Sequence, residues 1–437
     1  MIPAENNDQL DLATGLDAPL YRLLVRIARI AHTHGIALWL VGGVVRDLLL
    51  GRTVDHDLDL VIEGNAPAFA HILADELGGQ VKVAHAAFGT TTVALPNPSD
   101  MHKAEPLLID LATARIETYP HPAALPVVQP APIVHDLGRR DFSINALAVA
   151  VQEVGMELAP APLLDPFQGQ HDLAIRQLRV LHDQSFDDDP TRMLRAVRLA
   201  ARLNLRLESH TQTLLQAALA RNRLEATTPE RIRTELCLAL SEPQPATVLQ
   251  LADAWGITPH IFASLRWSAA LAQRCDRVLL AISRQPSAMV PVEQVYAGVL
   301  TYDLTASERD ELAERYRLPK ETARVLHEIG VVRELYDTLL APGLRPSEID
   351  RWLQRFSPAT LLVAACAEPP PMPDILHYYL AELRPVTPLL DGHALQQHGV
   401  APGPHLGELL RDLRAARLDG LVTTRADEEA WVDASLR

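Results

Sequence analysis

The chain has 437 residues, of which 48% are hydrophobic, and its formal net charge at pH 7 is −15. This length exceeds what one hydrophobic core usually holds, so we expect about two to four domains. The negative charge argues against a broad, non-specific affinity for nucleic acids, because phosphate neutralisation requires lysine and arginine, although a local basic stripe can still bind RNA. No apolar run approaches the roughly 18 residues of a membrane span. The polar N-terminus is not a secretory signal, and three cysteines far apart suit a reducing cytoplasm.

Helices and strands alternate in the first part of the chain. Residues 1–20 look like a loose N-terminal arm, and residues 120–132 are rich in proline and are predicted to lack regular structure. The apolar pattern between them predicts helices over 20–35 and 67–77, a short helix after 43, and strands over 38–41, 58–62, 81–84, 91–95 and 107–111. From about residue 185 onward the period is helical almost throughout. We therefore predict an α+β fold class, in which an α/β or α+β head precedes an all-α remainder.

The most informative stretch, residues 40–64, reads LVGGVVRDLLLGRTVDHDLDLVIEG. Strand residues two apart point to the same face, so Asp57 and Asp59 project together. Two adjacent carboxylates repel each other unless a cation lies between them, and Mg²⁺, held by carboxylates and substrate phosphates, is the usual ion. Upstream, Gly42 and Gly43 permit a turn whose N–H groups, with the next helix N-terminus, can bind an anion. An ordinary turn and a solvated strand edge are the alternatives, but the combination favours a site for a triphosphate and its metal.

The pattern GGxVRDxLLG followed by DxD resembles the head-domain signature of class II tRNA nucleotidyltransferases and bacterial poly(A) polymerases, within the polymerase β superfamily. The resemblance implies that Asp57 and Asp59 bind the catalytic metal, for which two Mg²⁺ ions are expected. It also implies that Gly42, Gly43 and Arg46 hold the triphosphate of the nucleotide.

Asp110 closes the apolar run LLID on a predicted strand. Phosphoryl-transfer sites with two metals need carboxylates around both the attacking and the leaving oxygen, so a third carboxylate beside Asp57 and Asp59 would complete such a catalytic site. The flanking residues, IDLATARIETY, resemble the family segment on the strand that faces the aspartate pair. A residue that simply ends a strand is the alternative.

A second motif, RRDFSINA, covers residues 139–146. Its two arginines suit the geometry of phosphate, and Asp141 and Asn145 can form hydrogen bonds with ribose hydroxyls. The motif matches that of the family almost letter for letter, which implies that Arg140 contacts the nucleotide and Asp141 reads the ribose. A helix start capped by Asp141 or Ser143 is compatible with these roles.

The segment FDDDPTRMLRAVR, residues 186–198, predicts a helix that begins near Pro190, with acids before it that complement the helix dipole. Within roughly 120° of one face of this helix lie Arg192, Arg195, Arg198, Arg202 and Arg206. Arginine suits planar recognition of phosphates or bases, so Arg195 and Arg198 are expected to bind nucleotide, and a solvated basic face is the alternative. The segment resembles the fourth family motif, usually Glu-Asp-x-x-Arg, with Asp188 in place of the glutamate.

Asp189 and Arg192 indicate how a base can be chosen without a template. Cytosine and adenine present an amino donor beside a ring-nitrogen acceptor, whereas uracil and guanine present a carbonyl acceptor beside an N–H donor. A carboxylate only accepts and a guanidinium only donates hydrogen bonds, so this pair can bind C and A and reject U and G. A helix cap at Asp189 is the structural alternative.

The resemblance is specific over about residues 20–240 and implies a polymerase-β-like head followed by helical neck, body and tail. The predicted boundaries are 1–20 for the N-terminal arm, 21–175 for the head, 176–262 for the neck, 263–345 for the body and 346–437 for a tRNA-binding tail. The implied reaction is the Mg²⁺-dependent transfer of CMP and AMP from CTP and ATP to the 3′ end of tRNA. Addition of CC only or A only, poly(A) synthesis and a non-catalytic tRNA-binding role remain alternatives. We expect a cytoplasmic protein whose partners are tRNA, CTP and ATP, with no membrane association and no obligate protein partner.

Overall fold

The computed structural model describes residues 9–54, 58–96, 106–284 and 290–436. Contacts divide the chain into two units, Met1–Thr227 and Thr228–Arg437. Within the described ranges, every helix is too short or too polar to cross a membrane. The finer division into five parts stays a prediction.

A mixed β-sheet organises the first unit. In the described residues, the strands of this sheet and of three two-stranded sheets are β1 (Gln9–Leu10), β2 (Ala37–Val41), β3 (Leu58–Glu63), β4 (Gln80–His85), β5 (Thr90–Leu95), β6 (Leu107–Thr113), β7 (Arg115–Thr118), β8 (Val127–Pro130), β9 (Ala148–Ala150), β10 (Glu153–Val154), β11 (Glu157–Leu158), β12 (Ala161–Leu164), β13 (Gln177–Leu178) and β14 (Arg206–Leu207). The main sheet has the order β1-β12-β9-β2-β3-β6-β5-β4. Its strands β3 and β6 are parallel and its other neighbouring strands are antiparallel. The parallel pair brings Asp59 and Asp110, far apart in sequence, into register.

Helices connect and flank the strands of this unit. They are α1 (Leu12–Gly15), α2 (Ala18–Thr33), α3 (Gly43–Leu49), α4 (Ala66–Leu77), α5 (Ile133–Gly138), α6 (Gly169–Ala174), α7 (Ser185–Asp188), α8 (Thr191–Leu203) and α9 (Ser209–Ala220), with 3₁₀ turns at Ala86–Phe88 and Ser143–Asn145. Local sequence sets their ends: Asp17 caps α2 by accepting a hydrogen bond from the Leu20 N–H at 2.9 Å. Helix α4 ends at Gly78, which adopts the left-handed conformation that glycine tolerates. The apolar faces of α2 and α4 are buried, which packs these helices onto the sheet.

The described part of the second unit is helical. Its helices are α10 (Pro229–Leu240), α11 (Pro245–Ala254), α12 (Thr258–Ile261), α13 (Ala269–Ser283), α14 (Val292–Thr301), α15 (Ala306–Arg315), α16 (Lys320–Arg333), α17 (Tyr336–Leu339), α18 (Pro346–Leu353), α19 (Pro358–Ala367), α20 (Met372–Tyr378), a π-helical turn (Tyr379–Leu383), α21 (Gly392–Gln397), α22 (Pro404–Leu418) and α23 (Arg425–Ser435). Helix α19 is apolar on all sides and almost completely buried, and it packs against α13, α14, α16 and α20 at the centre of the larger core. A smaller core around Leu395, Leu413 and Val432 joins the last helices.

The predicted α+β architecture is confirmed, because a mixed-sheet head precedes a mostly helical remainder. Strands β2 to β6 correspond to the five predicted strands, with ends that differ by no more than two residues. Strict alternation and short apolar runs are local signals, so these elements follow from the sequence alone.

The prediction of a loose N-terminal arm is wrong for the described residues 9–20. Strand β1 pairs with β12 at the edge of the main sheet, α1 follows, and Leu16 forms a β-bridge with Val54. The side chains of Leu10, Leu12 and Leu16 are buried. Contacts with residues distant in sequence order this segment, and a local pattern does not reveal such contacts.

The prediction that residues 120–132 lack regular structure is wrong for Val127–Pro130, which form β8. This strand pairs with β7 in a two-stranded antiparallel ribbon, where Pro130 is opposite Arg115 at the end of the ribbon. Proline is tolerated at strand ends and on edge strands, because its missing N–H is not needed there by a neighbour.

Candidate active site

Two aspartates lie side by side on the parallel strands of the head. Asp59 of β3 is in register with Asp110 of β6, so both side chains project from the same face of the sheet. On the next strand, Thr92 is opposite Asp110, and its Oγ1 donates a hydrogen bond to Asp110 Oδ1 at 2.6 Å. The apolar residues that alternate with Asp59 along β3 are buried on the other face. The sheet therefore brings the predicted third carboxylate next to the DxD strand, whereas Asp57 lies outside the described residues.

Asp59 and Asp110 line a cleft of about 400 Å³, and Arg140 lines the same cleft. Carboxylate oxygens are the hard ligands that Mg²⁺ prefers, and a guanidinium suits phosphate, so the chemistry of the lining fits a metal–nucleotide complex. Within the described part of the chain, no group of three or more acidic, histidine or cysteine side chains is arranged for a metal ion. The predicted metal site, which includes Asp57 with Asp59, stays a prediction.

The glycine turn between β2 and α3 lies against Arg140. Gly42 has φ 74° and ψ −132°, a conformation that side chains disfavour. A Cβ atom at this position would lie 2.9 Å from Arg140 Nη1, so any side chain there would displace the guanidinium. The Gly42 N–H donates to the Leu147 carbonyl, so this amide is already used within the protein.

Four of the predicted nucleotide-binding side chains form one hydrogen-bonded series. Arg46 Nη1 donates to Asn145 Oδ1 at 2.6 Å, and Asn145 Nδ2 donates to Asp141 Oδ1 at 3.0 Å. Arg195 of α8 completes the series by donating from Nε and Nη2 to Asp141 Oδ2 at 3.1 and 2.8 Å. Arg46 is buried, and its Nε and Nη2 donate to Asp47. Side chains thus connect α3, the RRDFSINA motif and helix α8.

The carboxyl group of Asp141 is held in its ionised form. Burial alone would raise its pKa, but the charge of Arg195 and the hydrogen bonds from Asn145 and Arg195 outweigh burial and lower the pKa to about 2. The Phe142 N–H also donates to Asp141 Oδ1, at 2.9 Å. Each oxygen of this carboxylate thus accepts two hydrogen bonds from the protein, Oδ1 from Phe142 and Asn145 and Oδ2 from Arg195.

A buried carboxylate that the sequence reasoning missed binds both arginines of the RRD motif. Asp136 of α5 is 0% exposed, and it accepts from Arg139 Nε at 2.8 Å and from Arg140 Nη2 at 3.0 Å. Arg139 Nη1 also donates to Glu117 Oε1 at 3.0 Å, and Glu117 binds Arg115 in turn. An acid three and four residues before two arginines, at helical spacing, is the signal that indicates such a contact. Among the described residues, the buried Arg140 Nε has no hydrogen-bond partner.

The base-reading pair predicted from the sequence is fixed by its surroundings. Arg192 is 5% exposed, and it donates from Nη1 to Ser185 Oγ at 2.6 Å and from Nη2 to the Arg139 carbonyl at 2.7 Å. Asp189 Oδ1 accepts from the N–H and Oγ1 of Thr191, the first residue of α8, at 3.0 and 2.6 Å. Arg140, the next residue of the RRD motif, lines the carboxylate cleft, so the motif contacts both that cleft and Arg192.

A histidine that the sequence reasoning also missed lies beside this pair. His182 Nδ1 is 4.0 Å from Asp188 Oδ2. Burial and the charge of Arg192 lower the pKa of His182, and burial raises the pKa of Asp188. The acid that replaces the usual glutamate of the motif therefore lies next to an imidazole whose neutral form is favoured.

The arginine stripe ends earlier than the helical pattern predicts. Helix α8 stops where Asn204 adopts a left-handed conformation (φ 52°), which caps the helix. Arg206 lies in β14, paired with β13, so the prediction that places it on the helix is wrong. Exposure increases along the helix from buried Arg192 through half-buried Arg195 and Arg198 to exposed Arg202.

The chain is similar to known proteins along most of its length. Residues 38–179 match the family described as Poly A polymerase head domain. The chain is 33% identical to the A-adding tRNA nucleotidyltransferase of Halalkalibacterium halodurans, over 93% of this chain and 90% of that protein. It is 35% identical to the CC-adding tRNA nucleotidyltransferase of Deinococcus radiodurans, over 89% of this chain and 87% of that protein. Two other A-adding relatives, of Geobacter sulfurreducens and Aquifex aeolicus, are longer, and the chain spans 47% and 44% of their lengths.

The fold also resembles solved structures over nearly its whole length. The Thermotoga maritima CCA-adding enzyme complexed with tRNA-CCA superposes with a TM-score of 0.71 at 28% identity, over 97% of both chains. The likeness therefore extends beyond the head to the helical remainder.

Proposed function

The chain belongs to the tRNA nucleotidyltransferase family, and we propose that it adds CCA to the 3′ end of tRNA from CTP and ATP, with release of pyrophosphate and without a template. One observation carries the proposal: consecutive residues of the RRD motif reach both parts of the site. Arg140 lines the carboxylate cleft, and the Arg139 carbonyl binds Arg192. A nucleotide could then have its triphosphate beside the metal-binding carboxylates and its base beside the pair that reads it.

Asp57 and Asp59 hold the catalytic Mg²⁺ in this proposal, with two ions expected, and Asp110 contributes a third carboxylate to the same cleft. When bound, Mg²⁺ supplies Lewis-acid stabilisation of the phosphoryl oxygens and of the tRNA 3′ oxygen. The hydrogen bond from Thr92 fixes the orientation of Asp110. Register pairing of Asp59 with Asp110 supports the shared role of these two carboxylates.

Arg140 is proposed to bind the triphosphate. Its Nε is a buried donor without a partner in the described part of the chain, and a phosphate oxygen would satisfy it. The turn at Gly42 and Gly43 contributes by leaving room, because a side chain at Gly42 would collide with the guanidinium. Asp136 holds the guanidinium from the protein side.

Asp141 and Asn145 are proposed to bind the ribose hydroxyls, which would select ribonucleotides. Arg46 is buried and bound to Asn145, so its contribution to nucleotide binding is to fix that amide. Arg195 fixes Asp141 from the neck helix. Arg198, one turn further along α8, extends the positive face that nucleotide or RNA would meet.

Asp189 and Arg192 are proposed to select the base. A carboxylate acceptor beside a guanidinium donor matches the pairing edge that cytosine and adenine share, and uracil or guanine would leave buried groups unpaired. The buried position of Arg192 supports this role, because unpaired groups cost most where water is excluded.

Addition of A alone is the second candidate. The A-adding enzyme of Halalkalibacterium halodurans aligns with the chain over most of both proteins. The CC-adding enzyme of Deinococcus radiodurans aligns at a similar identity, so the degree of similarity does not separate the specificities.

The test supplies the purified chain with tRNA ending at the discriminator base, tRNA ending in CC and tRNA ending in CCA. Each is incubated with CTP, with ATP and with both, and product lengths are read on a denaturing gel. CCA addition extends the first tRNA by two residues with CTP and by three with both nucleotides, and it leaves the tRNA ending in CCA unchanged. Extension only of the CC-ended tRNA by ATP indicates an A-adding enzyme, and arrest after two cytidines indicates a CC-adding one. Long ATP-dependent tails indicate a poly(A) polymerase, and no extension of any substrate contradicts the proposal.

A further inference from the structure

Ser185 contacts both members of the base-reading pair. It is the first residue of α7 and is 0% exposed. Its Oγ accepts a hydrogen bond from Arg192 Nη1 at 2.6 Å, and its backbone carbonyl accepts one from the Asp189 N–H at 3.3 Å. The same residue is therefore bonded to the guanidinium that donates to the base and to the backbone that carries the carboxylate acceptor.

The hydrogen bond to Ser185 Oγ restricts the conformation of the Arg192 side chain. A guanidinium carries five N–H donors in a rigid plane, but the chain that bears it has many rotamers. Ser185 Oγ and the Arg139 carbonyl each accept from a different terminal nitrogen, so together they fix the orientation of the plane. Three N–H groups of the guanidinium are then left for other acceptors.

We propose that Ser185 is a positioning residue that sets the spacing between the Asp189 carboxylate and the Arg192 guanidinium, and so determines selectivity for C and A over U and G. This inference rests on the proposed function of the pair. A donor and an acceptor discriminate between bases only when they are held within a few tenths of an ångström of the required geometry, which is the role of supporting hydrogen bonds. Loss of the serine hydroxyl would leave the backbone contact with Asp189 intact and remove one of the two hydrogen bonds that fix the guanidinium, leaving the one to the Arg139 carbonyl.

The experiment measures kcat/KM for CTP, UTP, ATP and GTP with the full chain and tRNA ending at the discriminator base or in CC. Ser185→Ala removes the acceptor, and Ser185→Cys keeps the side-chain volume but offers a much weaker acceptor. We expect both variants to lower the ratio of CTP to UTP, and that of ATP to GTP, by roughly 10-fold, the scale of one hydrogen bond to a charged group. Ser185→Thr keeps a hydroxyl and is expected to retain more of the ratio than Ser185→Ala.

A matched control separates positioning from simple loss of stability. Ser347 of α18, in the second unit, is also a buried serine. Its Oγ donates to Asp419 Oδ2 of the same unit at 2.8 Å. Ser347→Ala is expected to lower the melting temperature without changing either ratio. Unchanged ratios in the Ser185→Ala and Ser185→Cys variants would overturn the inference.

Two further measurements keep this outcome distinct from failure of the proposed function. If the parent chain extends no tRNA, the proposed function itself is wrong. If the parent is active and Arg192→Lys alters the nucleotide ratios while the two Ser185 variants do not, Arg192 selects the base and Ser185 does not position it.

Discussion

Arg195 donates two hydrogen bonds to the same oxygen of Asp141, from Nε at 3.1 Å and from Nη2 at 2.8 Å. Asp141 is almost fully buried, whereas Arg195 is partly open to solvent. This ion pair attaches helix α8 to the RRDFSINA motif. Because breaking one side of a buried pair leaves an uncompensated charge, the contact is expected to matter for stability as well as for nucleotide binding.

The ion pair predicts a specific pH dependence of stability. The pKa of Asp141 is about 2 in the folded protein, below its ordinary value of 3.8. A lowered pKa means that the stabilising contribution is fully present above pH 4 or so and is lost as the pH falls towards the folded value. Between pH 7 and pH 3 this one group should account for a loss of roughly 1 kcal/mol in the free energy of unfolding.

Urea unfolding of the parent and of Asp141→Asn at pH 7 and pH 3 measures the contribution of Asp141 to the free energy of unfolding. The variant should be less stable at pH 7 and should lose roughly 1 kcal/mol less than the parent on acidification. Other carboxylates with lowered pKa, such as Glu208 and Asp427, are present in both proteins and cancel in the comparison. Equal losses in the two proteins would contradict the assignment.

Asp59→Ala is expected to reduce the rate of nucleotide transfer by on the order of 10³-fold or more, because loss of a metal-binding carboxylate removes several kcal/mol of charge stabilisation. The affinity for tRNA should change little. Single-turnover rates and filter binding measure the two quantities. Chelation with EDTA should abolish transfer by the parent, and added Mg²⁺ should restore it.

Asp75→Ala is the matched control for this variant, because Asp75 is an exposed aspartate on α4 of the same unit. It should leave the rate unchanged. Near-normal turnover by Asp59→Ala would show that the metal site lies elsewhere.

Much of the head could be predicted because its signals are local. Alternation along β3 places Asp59 opposite a buried face, and the left-handed end of α8 could have been anticipated from Asn204, a residue type favoured at that position. The contact between Arg192 and the Arg139 carbonyl joins residues 53 positions apart, and no local pattern specifies it. The burial of Arg192 could not be predicted either. Helical periodicity assigns all the arginines of the stripe to one face and does not show which of them is covered.

Two exposed arginines, Arg202 of α8 and Arg206 of β14, are expected to contact tRNA phosphates from different elements. Each change, Arg202→Gln or Arg206→Gln, should weaken tRNA binding and flatten the plot of log K against log salt by roughly one unit per lost phosphate contact. Because Arg206 lies in β14 and not on α8, the two effects are expected to be separable. Filter binding at several salt concentrations measures both slopes.

Arg26→Gln provides the control for total charge, because Arg26 is exposed on α2 of the same unit. Removal of a positive charge there should leave the slope unchanged. If all three variants keep the slope of the parent, Arg202 and Arg206 form a solvated face and do not bind tRNA.

Asp189 has one structural contact, with Thr191, and one proposed role in base selection, and the final prediction separates the two. Its Oδ1 accepts two hydrogen bonds from Thr191, the first residue of α8, and its carboxylate is proposed to accept from the exocyclic amine of C or A. Asp189→Ala removes both contacts, so it should cost about 1 kcal/mol of stability through the lost hydrogen bonds with Thr191. It should also shrink the preference for CTP over UTP by roughly 10²-fold, because Arg192 can still donate to a uracil carbonyl when the acceptor is gone.

Asp189→Ser keeps a side-chain oxygen that can accept a hydrogen bond from the nearby Thr191 N–H, but it removes the carboxylate. This variant should therefore unfold at nearly the parent's urea midpoint and still lose the preference for CTP. Values of kcat/KM for all four nucleotides, together with urea midpoints, measure both effects in each variant. If Asp189→Ser keeps the CTP to UTP ratio of the parent, the carboxylate serves only the helix start, and the discrimination between C and U must come from another part of the site.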